Sequence, residues 1–151
     1  MKLSTRSRYG ARILLELARR GSDAPVQVSE ISREQNIPAK YIEQLMRTLK
    51  SANLISSVRG AKGGHILAKS SEAITLGEVV RIFEGQHELV ECISKPSKCD
   101  MAEACRVRLA WKEATDALYK KLDGITISDL ICEVWPPSFG SIPETGPSDK
   151  A

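Results

Sequence analysis

The chain reads as a mainly α protein organised around a winged helix-turn-helix, with a two-stranded β-wing and a long C-terminal dimerisation helix. Three observations predict this. Residues 28–54 hold two helical runs separated by the break Asn36-Ile37-Pro38, the second ended by Asn53-Leu54. Directly after them, the glycine-rich basic segment Arg59 to Gly64 joins two short β-type runs. Charge is also split along the chain. Residues 1–69 carry 13 Lys and Arg against 5 Asp and Glu, a net +8, whereas residues 70–151 carry 9 against 14, a net −5. The overall +3 therefore hides a basic half that contains the helix-turn-helix pattern.

In chain order, Thr5 predicts the cap of a first helix over residues 6–20, with Gly21 as its stop. Tyr9, Ile13 and Leu17 form its apolar stripe, widened by Leu14 and Ala18. Arg6, Arg8 and Arg12 lie on or near the other side, where Arg8 is placed to contact phosphate; a solvated basic face is the plainer account. Val28 to Gln35 is the next helical run, and Pro38 suits the first turn of the one after, because its missing N–H would be unpaired there in any case. From Ala39, Ile42, Leu45, Met46 and Leu49 recur at the 3.6-residue period of a buried face. The other face carries Lys40, Tyr41, Gln44, Arg47 and Ser51, which can donate to phosphates or base edges. Glu43 also points away from the apolar stripe and suits the amino group of cytosine. Strands are predicted at Ile55 to Val58 and His65 to Ala68. Arg59 and Lys62 sit at the hairpin tip between them, and Arg59 suits a narrow minor groove.

Residues 70–132 form a second region and residues 133–151 a tail with few apolar residues and no period, expected to be disordered. Thr75-Leu76-Gly77-Glu78 has capping-box spacing ahead of an amphipathic helix on Leu76, Val79, Val80 and Phe83, stopped by Gly85. Thr126-Ile127-Ser128-Asp129 repeats that start before Leu130 and Ile131. The longest helical signal runs from about Asp100 to Leu122, roughly 33 Å at 1.5 Å per residue. Ala104, Val107, Trp111, Ala114 and Leu118 step along it as the seam of a helix that packs on another helix, so it is expected to join two subunits. A core helix is the alternative.

Cys92, Cys99 and Cys105 lie on one polar loop, and Cys132 stands apart. The gaps match neither the close pairs of zinc sites nor a C-x-x-C redox site. Three soft thiolates on one loop do suit an iron–sulfur cluster. Lys95, Lys98 and Arg106 nearby favour thiolates.

Taken together, Met1-Lys2-Leu3-Ser4 with Arg8-Tyr9, Tyr41-Ile42-Glu43-Gln44-Leu45, Ser56-Ser57-Val58-Arg59-Gly60 with Gly63-Gly64, and the three cysteines before Trp111 resemble the IscR-like iron–sulfur cluster regulators of the Rrf-two family. The likeness covers residues 1–132. It implies a dimeric winged-helix transcriptional regulator that places the second helix of its motif in the major groove and its wing at the minor groove. It also implies that Tyr41, Glu43, Gln44 and Arg59 face DNA and that a [2Fe-2S] or [4Fe-4S] cluster on the cysteines is the sensor. Two departures stand out. Where the iron–sulfur regulator has a histidine ligand three residues after the third cysteine, this chain has Arg108, which has no lone pair to give a metal. Where nitric-oxide-sensing relatives use an aspartate of the first helix, this chain has Arg8. The first cysteine gap is also one residue longer than in the iron–sulfur regulator. Asp100, Glu103, His87, Cys132 or an outside thiol are the candidates for a fourth ligand.

The sequence therefore predicts a cytoplasmic, homodimeric repressor of double-stranded DNA, with no membrane partner and no small-molecule substrate. A cluster-free thiol or zinc sensor is the alternative. An enzyme is disfavoured: Gly60, Gly63 and Gly64 lie in a hairpin rather than between strand and helix, and no catalytic constellation accompanies them.

Overall fold

Ser4 sets where the chain becomes helical. Its hydroxyl oxygen accepts the Ser7 N–H at 3.4 Å, so the first helix, α1, runs Thr5–Arg20 and its cap lies one residue before the expected Thr5. The structure, a computed structural model, describes residues 3–21, 24–85 and 88–131. The order continues with α2 (Val28–Gln35), α3 (Ala39–Ser51), β1 (Ile55–Val58), β2 (Gly64–Leu67), α4 (Leu76–Glu84), the single turn α5 (Glu91–Ser94) and α6 (Arg106–Asp123). Cys132, His87 and the expected disordered tail at 133–151 lie outside the described residues.

Two asparagines punctuate the reading head. Asn36 ends α2 in the left-handed conformation at φ 51°, with its N–H returned to the Ser32 carbonyl. Asn53, at φ 57°, turns the chain out of α3 into β1. β1 and β2 pair antiparallel, with Ile55 opposite Leu67 and Val58 opposite Gly64. Val26 adds a third pairing, exchanging both backbone hydrogen bonds with His65 at 2.9 Å. β2 starts one residue earlier than the sequence pattern suggests because Gly64 lies flat against the Val26 backbone, which a Cβ would overlap. Helix, turn, helix and two-stranded wing make a winged helix-turn-helix.

The apolar stripes meet in one core. Ile13, Leu14, Ile31, Ile42, Leu49 and Leu54 are fully buried, and Ile74, Val79, Phe83 and Ile127 from later in the chain pack into the same cluster. Each such side chain contributes about 2 kcal/mol of burial. Gly10 lets the Phe83 ring lie directly on α1, since a Cβ would overlap it. At α4, Thr75 accepts the Glu78 N–H at 3.1 Å as its cap spacing predicts. The Glu78 carboxylate turns instead to Lys69, at 2.8 Å. Thr126 and Asp129 form both capping-box contacts, at 2.8 and 3.1 Å. The expected helix at Leu130 and Ile131 is nevertheless a set of turns. Its start is committed to a bridge between Thr75 and Thr126, in which the Ile127 N–H donates to the Ile74 carbonyl at 2.9 Å.

Glu84 ties the end of α4 to the start of α1. Its carboxylate accepts the Ser4 N–H at 2.8 Å and the Ser7 hydroxyl. Burial works to raise its pKa, but these hydrogen bonds and the charge of Arg6 together hold it below the usual carboxylate value. A depressed folded-state pKa stabilises above the unfolded value, and that contribution disappears as pH falls through the folded one. Glu84→Gln should therefore lower Tm at neutral pH and flatten the further loss of Tm below about pH 5. Thermal melts across that range check this; parallel curves for the two proteins would show that Glu84 does not titrate with folding.

α6 begins six residues after Asp100, because residues 100–104 are turns and Cys105 caps the helix. Its 18 residues make a rod of roughly 27 Å. Only Thr115 on it is buried. At its C-terminal end, Arg81 of α4 grips Asp123 in a two-pronged ion pair at 2.6 and 2.7 Å, and its guanidinium lies 4.8 Å from the Tyr119 ring centre. No helix of the described residues is long and apolar enough to cross a membrane.

Candidate nucleic-acid interface and cysteine loop

Burying Ile42, Leu45, Met46 and Leu49 fixes which face of α3 looks outward. Lys40, Glu43, Gln44 and Arg47 are exposed on it. Tyr41 is only half-buried: its ring meets Tyr9 edge-on, centroids 6.0 Å apart, and the Arg12 guanidinium covers Tyr9 at 5.4 Å. Tyr41 thus anchors α3 to α1 as well as standing at the edge of the outward face. At the wing tip, Gly60 takes φ 119° and Gly63 packs against the Val58 carbonyl where a Cβ would overlap. These glycines make the tight tip that leaves Arg59 and Lys62 exposed at its corners. Arg8 is exposed on α1, with a long contact to the Thr5 hydroxyl at 3.4 Å.

Arg12 has a different task from the phosphate contact open to its neighbours. It donates to the Gln35 side chain at 2.9 Å and to the Gln35 carbonyl at 2.6 Å. Gln35 in turn donates at 3.1 Å to Glu16, which is 6% exposed and also pairs with Arg20 at 3.3 Å. This network locks α1 to α2 and was not foreseen. The available signal was Glu16, an acid set between Ile13 and Leu17 on the buried stripe.

The three cysteines are held near one another by chain direction but are not gathered as ligands. Cys92, in α5, and Cys105, at the α6 cap, are half-buried, and Cys99 is exposed. The Cys105 sulfur accepts the Arg108 N–H at 3.4 Å. The Arg108 side chain reaches back across the loop, donating to the Cys92 carbonyl at 2.9 Å and the Ala102 carbonyl at 3.1 Å. Lys98 pairs with Glu91 at 2.7 Å over the same loop. Asp100 and Glu103, two of the expected fourth ligands, are exposed. Among the described residues, no three Cys, His, Asp or Glu side chains are arranged to hold a metal ion. Three thiols have the donor chemistry of a cluster, but the loop as folded does not fit one, and Arg108 fills the place where a fourth donor is expected.

Beyond the loop, α6 leaves apolar side chains uncovered. Val107, 61% exposed, and Trp111, 45%, share one side of the helix, whereas Leu109, 60% exposed, lies across it, and Met101 in the preceding turns is 67% exposed. Ala114 is exposed and Leu118 half-buried, so the helical part of the expected seam lies on the uncovered side.

Known proteins share this architecture. The Rrf2 family model, described as an iron-dependent transcriptional regulator, matches residues 3–133. The chain is 44% identical over 131 residues to protein rrf2 of Nitratidesulfovibrio vulgaris, covering 87% of each. Among solved structures it is similar to CymR, the global cysteine regulator of B. subtilis, with TM-score 0.74 and 35% identity over 87% of this chain and 96% of that one. It is also similar to T. potens IscR, with TM-score 0.67 and 30% identity over 87% and 86%. These are transcriptional regulators rather than enzymes, and this chain belongs to the Rrf2 family.

Proposed function

We propose that the chain is a homodimeric repressor acting in the cytoplasm on double-stranded DNA, with α3 in the major groove and the β1–β2 tip at the minor groove. The observation that carries this is the outward face of α3, polar and basic over a fully apolar underside, beside a wing tip bearing two exposed cations. Glu43 and Gln44 read base edges, with Tyr41 set by Tyr9 at their side. Lys40, Arg47, Lys62 and Arg8 contact phosphates, and Arg59 enters the minor groove. A second copy covers the apolar face of α6.

The response to iron, redox or nitric oxide status is assigned to Cys92, Cys99 and Cys105. The three thiols have the donor chemistry of an iron–sulfur cluster, but the loop as folded does not gather them, so a cluster would take them as ligands only after the loop rearranges. Arg108, Lys98 and Glu91 set how tightly the loop is held. Direct thiol sensing is a second reading, favoured by Arg108 standing where a lone pair is needed.

Duplexes selected from a random-sequence pool test the DNA assignment. Glu43→Ala should broaden sequence preference, losing about 1–3 kcal/mol of discrimination at one position while keeping non-specific affinity. Arg59→Ala should weaken binding and relax preference at flanking A·T positions. Unchanged selectivity in both variants at fixed salt would overturn the placement of helix and wing.

A further inference from the structure

Between α3 and the hairpin lies a cavity of about 280 Å³ whose far wall holds residues given no role so far. Glu43, Arg47 and Lys50 line it from α3, spaced so that they form one stripe of that helix, while Ser57 of β1 and His65 of β2 close the far side. Ser57 and His65 face each other in register across the wing. Lys50 bridges helix to wing, its ammonium donating to the Ser57 hydroxyl at 3.0 Å. His65 Nδ1 is the one buried side-chain nitrogen or oxygen among the described residues that has no hydrogen-bond partner. That atom is out of reach of solvent, so the groups at the cavity that can meet a ligand are the Lys50 ammonium and the Ser57 hydroxyl, both on exposed residues.

The docking proposed above dictates what passes here. If α3 occupies the major groove and Arg59 the minor groove, the one sugar-phosphate strand dividing those grooves must cross the angle between helix and wing. This inference rests on that reading. We propose that Lys50 and Ser57 together seat one backbone phosphate of this strand, with the His65 ring as the wall behind them. Lys50 provides an ammonium with donors to spare beyond Ser57, and the Ser57 hydroxyl is free to donate. Burial and the Lys50 charge hold the imidazole below its usual pKa range, and an anion between them offsets the second cause. Glu43, the acid on the rim, lies two helical turns from Lys50 and stays with the base edges. A phosphate clamped here fixes the register of both reading elements at once, without itself reading sequence.

The test uses the full-length protein and duplexes selected by it from a random pool, with binding followed by fluorescence anisotropy against salt. Lys50→Gln should weaken selected and random duplexes alike, by roughly 3- to 10-fold, and lower the salt slope by about 1. Ser57→Ala should weaken binding without changing sequence preference. Replacing phosphates one at a time by uncharged methylphosphonates should reveal one position where wild type loses affinity and Lys50→Gln loses nothing further. Lys50 is exposed, so that variant keeps its fold, and a thermal melt verifies it. Wild-type affinity and slope in Lys50→Gln, or no coupled phosphate position, overturns the seat alone if Arg59→Ala still weakens binding. Failure of wild type to bind any duplex would instead remove the DNA reading, and the seat with it.

Discussion

Trp111→Asp should give a monomer that binds its operator two to four orders of magnitude more weakly than wild type. The indole is 45% exposed in the single chain, between Val107 and Ala114 on the uncovered side of α6. In the single chain, a carboxylate there is solvated and costs little. At a subunit seam it is an unpaired charge removed from water, a penalty of several kcal/mol that an interface cannot absorb. Losing the dimer makes the two half-sites bind independently, and the effective-concentration gain of about 10²–10⁴ is lost. Sedimentation at micromolar concentration and operator titration measure the two effects. A variant that remains dimeric with wild-type affinity, or a wild type that sediments as a monomer, would take α6 out of the interface. A folded monomer is expected because α6 contributes only Thr115 to buried surface.

Arg108→Ala should free the cysteine loop without unfolding the head. The guanidinium donates to two carbonyls at either end of the loop, and hydrogen bonds from a charged group are worth about 1.5–3 kcal/mol each. Two bonds at the lower end come to about 3 kcal/mol, which solvent screening of the partly exposed guanidinium reduces to about 2 kcal/mol. Since 1.4 kcal/mol is a factor of ten, alkylation of Cys92 and Cys105 should speed up roughly tenfold or more. The melt of the winged-helix core should move little, because no core residue touches Arg108 through these bonds. Arg108→His is the companion variant. It exchanges the two-carbonyl clamp for a lone pair, and anaerobic reconstitution should then retain more iron and sulfide per chain than wild type under the same exposure to air. Equal alkylation rates in wild type and Arg108→Ala would show that the clamp does not hold the loop; equal retention in Arg108→His would separate this position from ligand supply.

How much of this was legible in the sequence follows from what each signal depends on. The helix α2, the start of α3 and the strand β1 were read to the residue because their periodicity and stops are local, whereas α3 ends at Ser51, short of the expected Asn53-Leu54. Asn36 and Gly60 act through their own backbone angles. Ser4 was passed over for Thr5, as both are capping residues and only helix geometry chooses between them. The start of α6 was misplaced because Ala104 continues a heptad pattern that the turns at 100–104 override. Ion pairs and hydrogen bonds across long separations left no trace: nothing in the neighbourhood of Ser7 announces Glu84, nor does Asp123 announce Arg81. The outward residues of α3 and the wing were legible as a set, since they are what remains after the apolar stripe is removed. Lys50 and His65 were not, because their common cavity exists only once β2 folds back beside α3. Arg108 was noticed as an absence of a ligand, whereas its positive role depends on two carbonyls that no sequence pattern marks.

The grip of Arg81 on Asp123, with Gly77 pressed so close that a Cβ would strike the Asp123 carboxylate, has a mechanical consequence. It makes one end of α6 a fixed root on the head, while the cysteine loop joins the opposite end, at Cys105. A rod clamped at its root converts angle into displacement. Over roughly 27 Å, a tilt of about 10° shifts the free end by roughly 5 Å, which is on the order of one to two base-pair steps along a duplex. In the dimer proposed along α6, the separation of the two reading heads would follow a lever rooted at this ion pair and the Tyr119 contact beside it, and the stiffness of that root would decide how far a change at the cysteine loop is felt at the DNA.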